Sequence, residues 1–203
     1  MRFLRTATAA YARAVTALAA TGTVLALAGC GAGGMTLDTI GETTAGAIRD
    51  AGSVRFTMTT GDETFEGATT YEGGEVSALH VESTTPGAER DEWIIDGEYW
   101  TNEGGGDARR SDAVTPDAFA ASWDWAQVQE DLAASATAFE EVGGKDVDGT
   151  STRGYELTAD DRTETWWIDE DGRLLAYEFE FAEGTAGGGT LFDYGADSAI
   201  AVE

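Results

Sequence analysis

The sequence predicts an α+β domain, one large antiparallel sheet with helices lying on one of its faces. Three observations carry this. From Val54 onward, short runs alternate apolar and polar residues with a period of two. Turn signals separate the runs, Asp96-Gly97 and Asp148-Gly149 among them. Only two stretches keep a helical period, one ahead of the first run and one near mid-chain. Six Trp, six Tyr and eight Phe supply the apolar area a core requires, which disordered chains lack.

The chain opens with a different kind of segment. Arg2 and Arg5 precede an apolar stretch, Ala14 to Ala28, broken only by Thr16, Thr21, Gly22 and Thr23. Small residues then lead to a cut point, the layout of a secretory signal over residues 1–29. The stretch is nearer 15 residues than the ~20 a membrane span needs. Leu27-Ala28-Gly29-Cys30 ends it, and Cys30 is the only cysteine in the chain. An ordinary secretory signal has no use for a cysteine there. The run looks like the lipobox of bacterial lipoproteins. That resemblance implies that the Cys30 sulfur takes a diacylglyceryl group and that cleavage makes Cys30 the mature N-terminus. Residues 30–35, with Gly31-Ala32-Gly33-Gly34, then form a tether reaching at most roughly 20 Å. Residues 36–203 remain for a single folded domain.

Within that domain, Leu37, Ile40, Thr44, Ala47 and Ile48 recur at helical spacing, and Gly52 suits the position after a helix end. Val54, Phe56 and Met58 then alternate with Arg55, Thr57 and Thr59. Phe65 to Tyr71 returns after Gly61-Asp62, and Val76 to Ser83 follows Gly73-Gly74. Trp93-Ile94-Ile95 and Glu98-Tyr99-Trp100 flank Asp96-Gly97, a strong hairpin signal. Gly104-Gly105-Gly106 marks a surface loop. Thr115-Pro116-Asp117 opens the second helical stretch, with Pro at the first helical position. Phe119, Trp123 and Ala126 share one face of it, and Trp125, Val128 and Leu132 form a neighbouring stripe. Ser122 or Asp124 could cap a second helix there.

Strands resume with Phe139 to Val142, Thr152 to Thr158 and Arg162 to Ile168. In Leu174 to Phe181, Leu175, Tyr177, Phe179 and Phe181 face one way, and Glu178 and Glu180 the other. Gly187-Gly188-Gly189 reads as a last loop before Thr190 to Tyr194 and a terminal strand from Ala199 to Val202. The count is about ten strands.

Charge narrows the functional classes. The twelve basic residues include Arg2, Arg5 and Arg13, all in the signal, which has no acid. The mature chain therefore carries nine basic against 38 acidic residues, a net charge of −29. Such a chain cannot neutralise phosphates with clustered Lys and Arg, so nucleic acid is not an expected partner. The same field repels anionic headgroups. Retention at a membrane then falls to the acyl chains on Cys30, each buried methylene contributing about 0.8 kcal/mol. The expected address is the extracytoplasmic face of the cell membrane.

The order of pieces resembles a known family. The lipobox, the short tether and an N-terminal helix ending in Ala51-Gly52 come first, then Ser53-Val54-Arg55-Phe56-Thr57 and Ile95-Asp96-Gly97-Glu98-Tyr99-Trp100. A mid-chain helix, Val142 to Gly149 leading to Tyr155, Trp167 to Leu174 and a closing Asp193-Tyr194-Gly195 complete the set. This order is similar to that of the LppX/LprG-like lipoproteins of actinobacteria, relatives of the LolA and LolB carriers. The resemblance implies a curved, half-open sheet, a LolA-like half-barrel, with helices covering its concave face. In that family the enclosed apolar space receives acyl chains, and there are no catalytic residues to carry over.

Candidate lining residues follow from the alternating faces: Val54, Phe56, Met58, Trp93, Ile95, Tyr177 and Phe179 from strands. Phe119, Trp123, Trp125, Val128 and Leu132 would form the lid. The expected function is binding, and handing on, of a lipid or lipidated ligand. The alternative is a non-catalytic envelope interaction or sensor module that uses the sheet to dock a protein. No cofactor or metal is expected, and no enzyme. His80 is the single histidine, with no second one to build a zinc site or triad. Asp169-Glu170-Asp171-Gly172 echoes a calcium loop, but Trp167 stands where its first ligand belongs, so it reads as a hairpin turn.

Overall fold

The computed structural model describes residues 34–197 and 200–201, so the signal segment and Cys30 lie outside the described residues. Helix α1 spans Leu37–Ala51. Thr36 precedes it in extended conformation, and its N–H donates to Thr39 Oγ1 at 3.1 Å, satisfying a donor the helix leaves free. Gly52 ends the helix with φ 76°, and its N–H donates to the Ile48 carbonyl at 3.1 Å. Ile40, Thr44 and Ile48 of the predicted stripe are buried, while Leu37 and Ala47 are half-buried and Ala45 takes an inward place instead.

Strands β1 (Ser53–Thr60), β2 (Glu63–Glu72), β3 (Glu75–Thr85), β4 (Ala88–Ile95), β5 (Glu98–Glu103) and the two-residue β6 (Arg109–Arg110) follow as a meander. Helices α2 (Pro116–Ser122) and α3 (Trp125–Ser135) come next. Thr115 Oγ1 accepts from the Ala118 N–H at 3.3 Å, and Asp124 Oδ1 from the Gln127 N–H at 3.2 Å. Each side chain caps one helix, which divides the mid-chain stretch where the sequence allows it. A second meander closes the chain: β7 (Ala138–Val147), β8 (Thr150–Thr158), β9 (Arg162–Ile168), β10 (Leu174–Phe181) and β11 (Ala186–Phe192).

These eleven strands, counted among the described residues, form one antiparallel sheet in the order β6-β5-β4-β3-β2-β1-β11-β10-β9-β8-β7. The sheet is curved and unclosed, with β6 and β7 at its edges. Its two meanders meet where β1 pairs with β11, from Arg55 opposite Phe192 to Thr60 opposite Gly187. Asp96-Gly97 and Asp148-Gly149 turn with positive φ at both residues, 53° and 72°, then 49° and 85°. Two left-handed residues in succession match the twist of the strands they join.

Four expectations change. Gly187-Gly188-Gly189 is not a loop but the middle of β11. β7 extends well past Val142, with a bulge between Glu141 and Gly143. A second bulge between Leu174 and Ala176 shifts the face of β10, so that Leu174 enters the core in place of Leu175. No strand forms at Ile200 and Ala201, and the rest of the predicted terminal strand lies outside the described residues.

The glycines of β11 are explained by space. A Cβ on Gly189 would stand 2.0 Å from the Thr57 carbonyl oxygen and 2.7 Å from the Tyr177 hydroxyl. One on Gly187 would stand 2.2 Å from the Thr59 oxygen and 2.5 Å from the Phe179 ring. The rings of β10 lie over both positions. The same device recurs at Gly67 beneath Phe56.

Register assigns the two faces. Val54 and Phe56 point inward with Leu79, Val81, Ile94 and Tyr99 on one side, and with Leu191, Tyr177, Trp166, Tyr155 and Leu157 on the other. Ile40, Ile48, Phe119, Trp125 and Leu132 close the core from the helices. Helices α1 and α3 cross closely: a Cβ on Gly41 would stand 2.7 Å from Ala133 Cβ. Arg49 and Glu130 bridge them with two hydrogen bonds of 2.5 and 2.9 Å.

Candidate functional site

A chain of aromatic rings crosses the concave face. Trp123, between α2 and α3, stacks on Phe56 with centroids 5.2 Å apart and tilts against Phe65 at 5.3 Å. Trp125 lies 5.1 Å from Phe56 and 5.5 Å from Tyr177. Tyr177 runs parallel to Phe179 at 6.3 Å, and Phe179 meets Phe181 edge-on at 5.5 Å. These spacings are those of mutually attractive ring pairs.

Exposure along this chain is uneven. Val54 and Phe56 are 0% exposed, and Trp125 and Tyr177 are buried. Met58, Phe65, Trp123, Phe179 and Phe181 are half-buried. The strand residues among them stand at one end of the sheet, where β1 and β10 finish and β2 begins. They form an apolar mouth. Behind it the protein's own rings occupy the interior.

The predicted lining divides accordingly. Val54, Phe56, Met58, Tyr177 and Phe179 from strands, and Phe119, Trp123, Trp125 and Leu132 from helices, come together on the concave side. Trp93 and Ile95 do not. Trp93 pairs across the sheet with His80 and Trp100, and its ring stacks on His80 at 5.1 Å on the opposite, outer face. Ile95, two residues on, shares that face, and Ile94 is the inward member of the triplet. Val128 is half-buried and outside the core, because Gln129 takes the inward place one turn from Trp125.

Among the inward residues outside the predicted lining, four bear on the site. Phe65 and Phe181 lie on faces the alternation had already marked. Gln129, 2% exposed, and Glu164, 8% exposed, carried no apolar signal. Glu164 lies beside Phe179 in register. Trp166 Nε1 donates to its Oε2 at 2.8 Å, and Arg162 Nε stands 3.1 Å from its Oε1. Burial pushes the Glu164 carboxyl up from its ordinary value, opposed by Arg162 and by the Trp166 bond.

An acid with a higher pKa folded than unfolded holds its proton more tightly in the folded state. The stability this gives is whole below the unfolded pKa and is lost as pH rises through the folded one. Glu164→Gln, fixed in a neutral form, is therefore expected to melt above the wild type at about pH 7.5 and level with it at about pH 4. A melting difference that does not change with pH would contradict this.

Other polar atoms of this ring-filled interior stand alone. Tyr177 OH, Trp125 Nε1 and both amide atoms of Gln129 are buried without a hydrogen-bond partner among the described residues. Burial, followed by the charge of Glu164, pushes the Tyr177 hydroxyl up, so it remains protonated at neutral pH.

The outer face carries a separate cleft of about 700 Å³, between the sheet and the segment after β11. Glu82, Asp91, Asp193 and Asp197 line it with Arg55, His80 and Trp93. His80 Nε2 lies 3.1 Å from Asp91 Oδ1. This acidic lining is unsuited to acyl chains.

One curved, unclosed antiparallel sheet with helices on its concave face defines the class, an α+β LolA-like half-barrel. Among solved structures, the chain is similar to LprF from Mycobacterium bovis, with a TM-score of 0.61 and 13% identity over 82% of this chain and 95% of that one. It is similar to the Mycobacterium tuberculosis lipoprotein LppX, with a TM-score of 0.60 and 13% identity over 82% and 98% of the two chains. MucB matches at a TM-score of 0.50 with 20% identity, and there the alignment covers 80% of this chain and 60% of MucB. The likeness is one of fold. No protein-family description matches the sequence, and no curated protein matches it.

Proposed function

We propose that this chain is a lipid-anchored envelope protein that binds an apolar lipid or lipidated ligand, without catalysis, between its sheet and helices. The observation that carries the reading is the half-buried apolar mouth of Met58, Phe65, Trp123, Phe179 and Phe181, its rings continuous with the buried rings behind it. Ring faces left half-exposed at the open end of a half-barrel offer apolar area to an acyl chain. Because Phe56, Trp123 and Trp125 fill the interior, entry requires Trp123 to swing away from Phe56. Its backbone caps α2, the N–H donating to the Ala120 carbonyl at 3.0 Å, so the swing is a turn of the half-buried side chain about a fixed backbone. Cys30 supplies the anchor, which an acidic domain repelled by headgroups needs.

One experiment tests cargo and anchor together. Residues 1–30 are exchanged for a secretory signal ending in a plain Ala-x-Ala site, so that no covalent acyl chain remains. Met35–Glu203, a compact unit in itself, then carries only what it binds. The expected result is release of the protein into the medium, with about one equivalent of lipid recovered by organic extraction and mass spectrometry. Retention on membranes would defeat the anchor. Release without lipid would defeat the cargo and turn the mouth into a protein-docking surface.

A further inference from the structure

Resting on that reading, the unpartnered polar atoms of the chamber say what kind of apolar ligand it takes. Buried polar groups in native proteins are paired in the great majority, and each exception calls for a partner. Here three residues more than nine-tenths buried, on neighbouring elements of the core, carry such groups: Trp125 at 7% exposure, Tyr177 at 5% and Gln129 at 2%. Trp125 and Tyr177 touch, with ring centroids 5.5 Å apart, and Gln129 lies one helical turn from Trp125 on the same buried face of α3.

Their chemistry is lopsided. The indole can only donate, the amide brings two N–H groups and one oxygen, and the protonated phenol brings one O–H and one oxygen, four donor hydrogens against two oxygens. Donors exceed acceptors, so the complementary ligand group is an acceptor. Glu164 decides its charge. This carboxylate is buried in the same chamber, close enough to act on Tyr177, in a chain whose net charge is already strongly negative. A carboxylate headgroup placed there would meet like charge in a medium that screens poorly. A neutral carbonyl would not.

We infer that Trp125, Gln129 and Tyr177 form a hydrogen-bonding floor to the apolar chamber, which selects ligands carrying a neutral carbonyl at the head of an acyl chain. Plain hydrocarbon, ether and free carboxylate ligands of the same length are disfavoured. The rings of the mouth supply affinity for the chain, and the floor supplies discrimination.

The secreted form described above, stripped of lipid, is loaded with the apolar fluorophore N-phenyl-1-naphthylamine. Displacement is then compared for methyl hexadecanoate, hexadecyl methyl ether and hexadecanoate. The ester is expected to displace the probe at about tenfold lower concentration than the ether, a difference of about 1.4 kcal/mol, with hexadecanoate weakest. Tyr177→Phe and Gln129→Leu keep the shape of the chamber, and each is expected to bring ester and ether closer together. Gln129→Leu is also expected to raise the melting temperature, since it removes two unpaired buried atoms. Equal displacement by ester and ether would overturn the inference while leaving the ligand-binding reading intact. Selectivity that survives in both variants would overturn the assignment to these residues. No displacement by any of the three would overturn both.

Discussion

Gly189→Val should lower the stability of the fold by about 3 kcal/mol or more, the upper part of the range for overpacking a well-filled site. Gly189 sits in β11 between Met58 of β1 and Tyr177 of β10. Its missing Cβ would lie 2.0 Å from a backbone oxygen, a partner that cannot rotate aside as a flexible side chain would. The valine could be accommodated only by pushing β11 away from β1, and this pair is the sole junction between the two meanders in the sheet order. Urea denaturation measures the loss, and amide exchange locates it: protection should fall first along β1 and β11. A loss below about 1 kcal/mol would mean that the strands can part at this point without cost.

Phe56→Ala should cost about 3–5 kcal/mol, the range for deleting a buried aromatic ring. Phe56 is 0% exposed and touches Trp123 and Trp125 as well as the face of Gly67. None of these is free to collapse fully into its place, because each is held by other rings or by the sheet. The variant should therefore keep an apolar cavity, and such cavities stay dry and accept apolar guests. Stability and uptake are expected to move in opposite directions: a lower urea midpoint, with stronger binding of N-phenyl-1-naphthylamine. A variant that is destabilised yet binds no more probe would place the entry route away from Phe56 and Trp123.

Much of the architecture could be read from local signals. Asp96-Gly97 and Asp148-Gly149 announce hairpins because few other dipeptides tolerate two left-handed residues in succession. Thr115 and Asp124 announce helix starts because their oxygens reach the first free N–H groups. What could not be read depended on neighbours far along the chain. Glycine runs are ordinarily loop signals, and nothing near Gly187-Gly188-Gly189 reveals that carbonyls of β1 and rings of β10 claim the space beside them. Trp93-Ile94-Ile95 is apolar throughout, so its inward member is decided by pairing with Leu79 and Tyr99, not by alternation. The candidate site shows the same division. Its aromatic members follow the periodicity, whereas Gln129 and Glu164 run against it, and a polar residue inside an apolar interior is visible only once that interior is packed.

The seam between β1 and β11 bears on how the molecule comes to exist. Arg55 and Phe192 are partners, so nearly the whole domain separates the two strands that complete the sheet. Every other strand pair is a near neighbour in sequence and can form as soon as its hairpin is made. Closure across the seam is the one step of high contact order, and such steps are slow. A chain emerging from its N-terminus would hold two separate half-sheets, each with an uncovered edge, until β11 arrived. The period of greatest vulnerability to misassembly thus falls at the end of chain emergence, when β11 docks between its two neighbours and both edges vanish together.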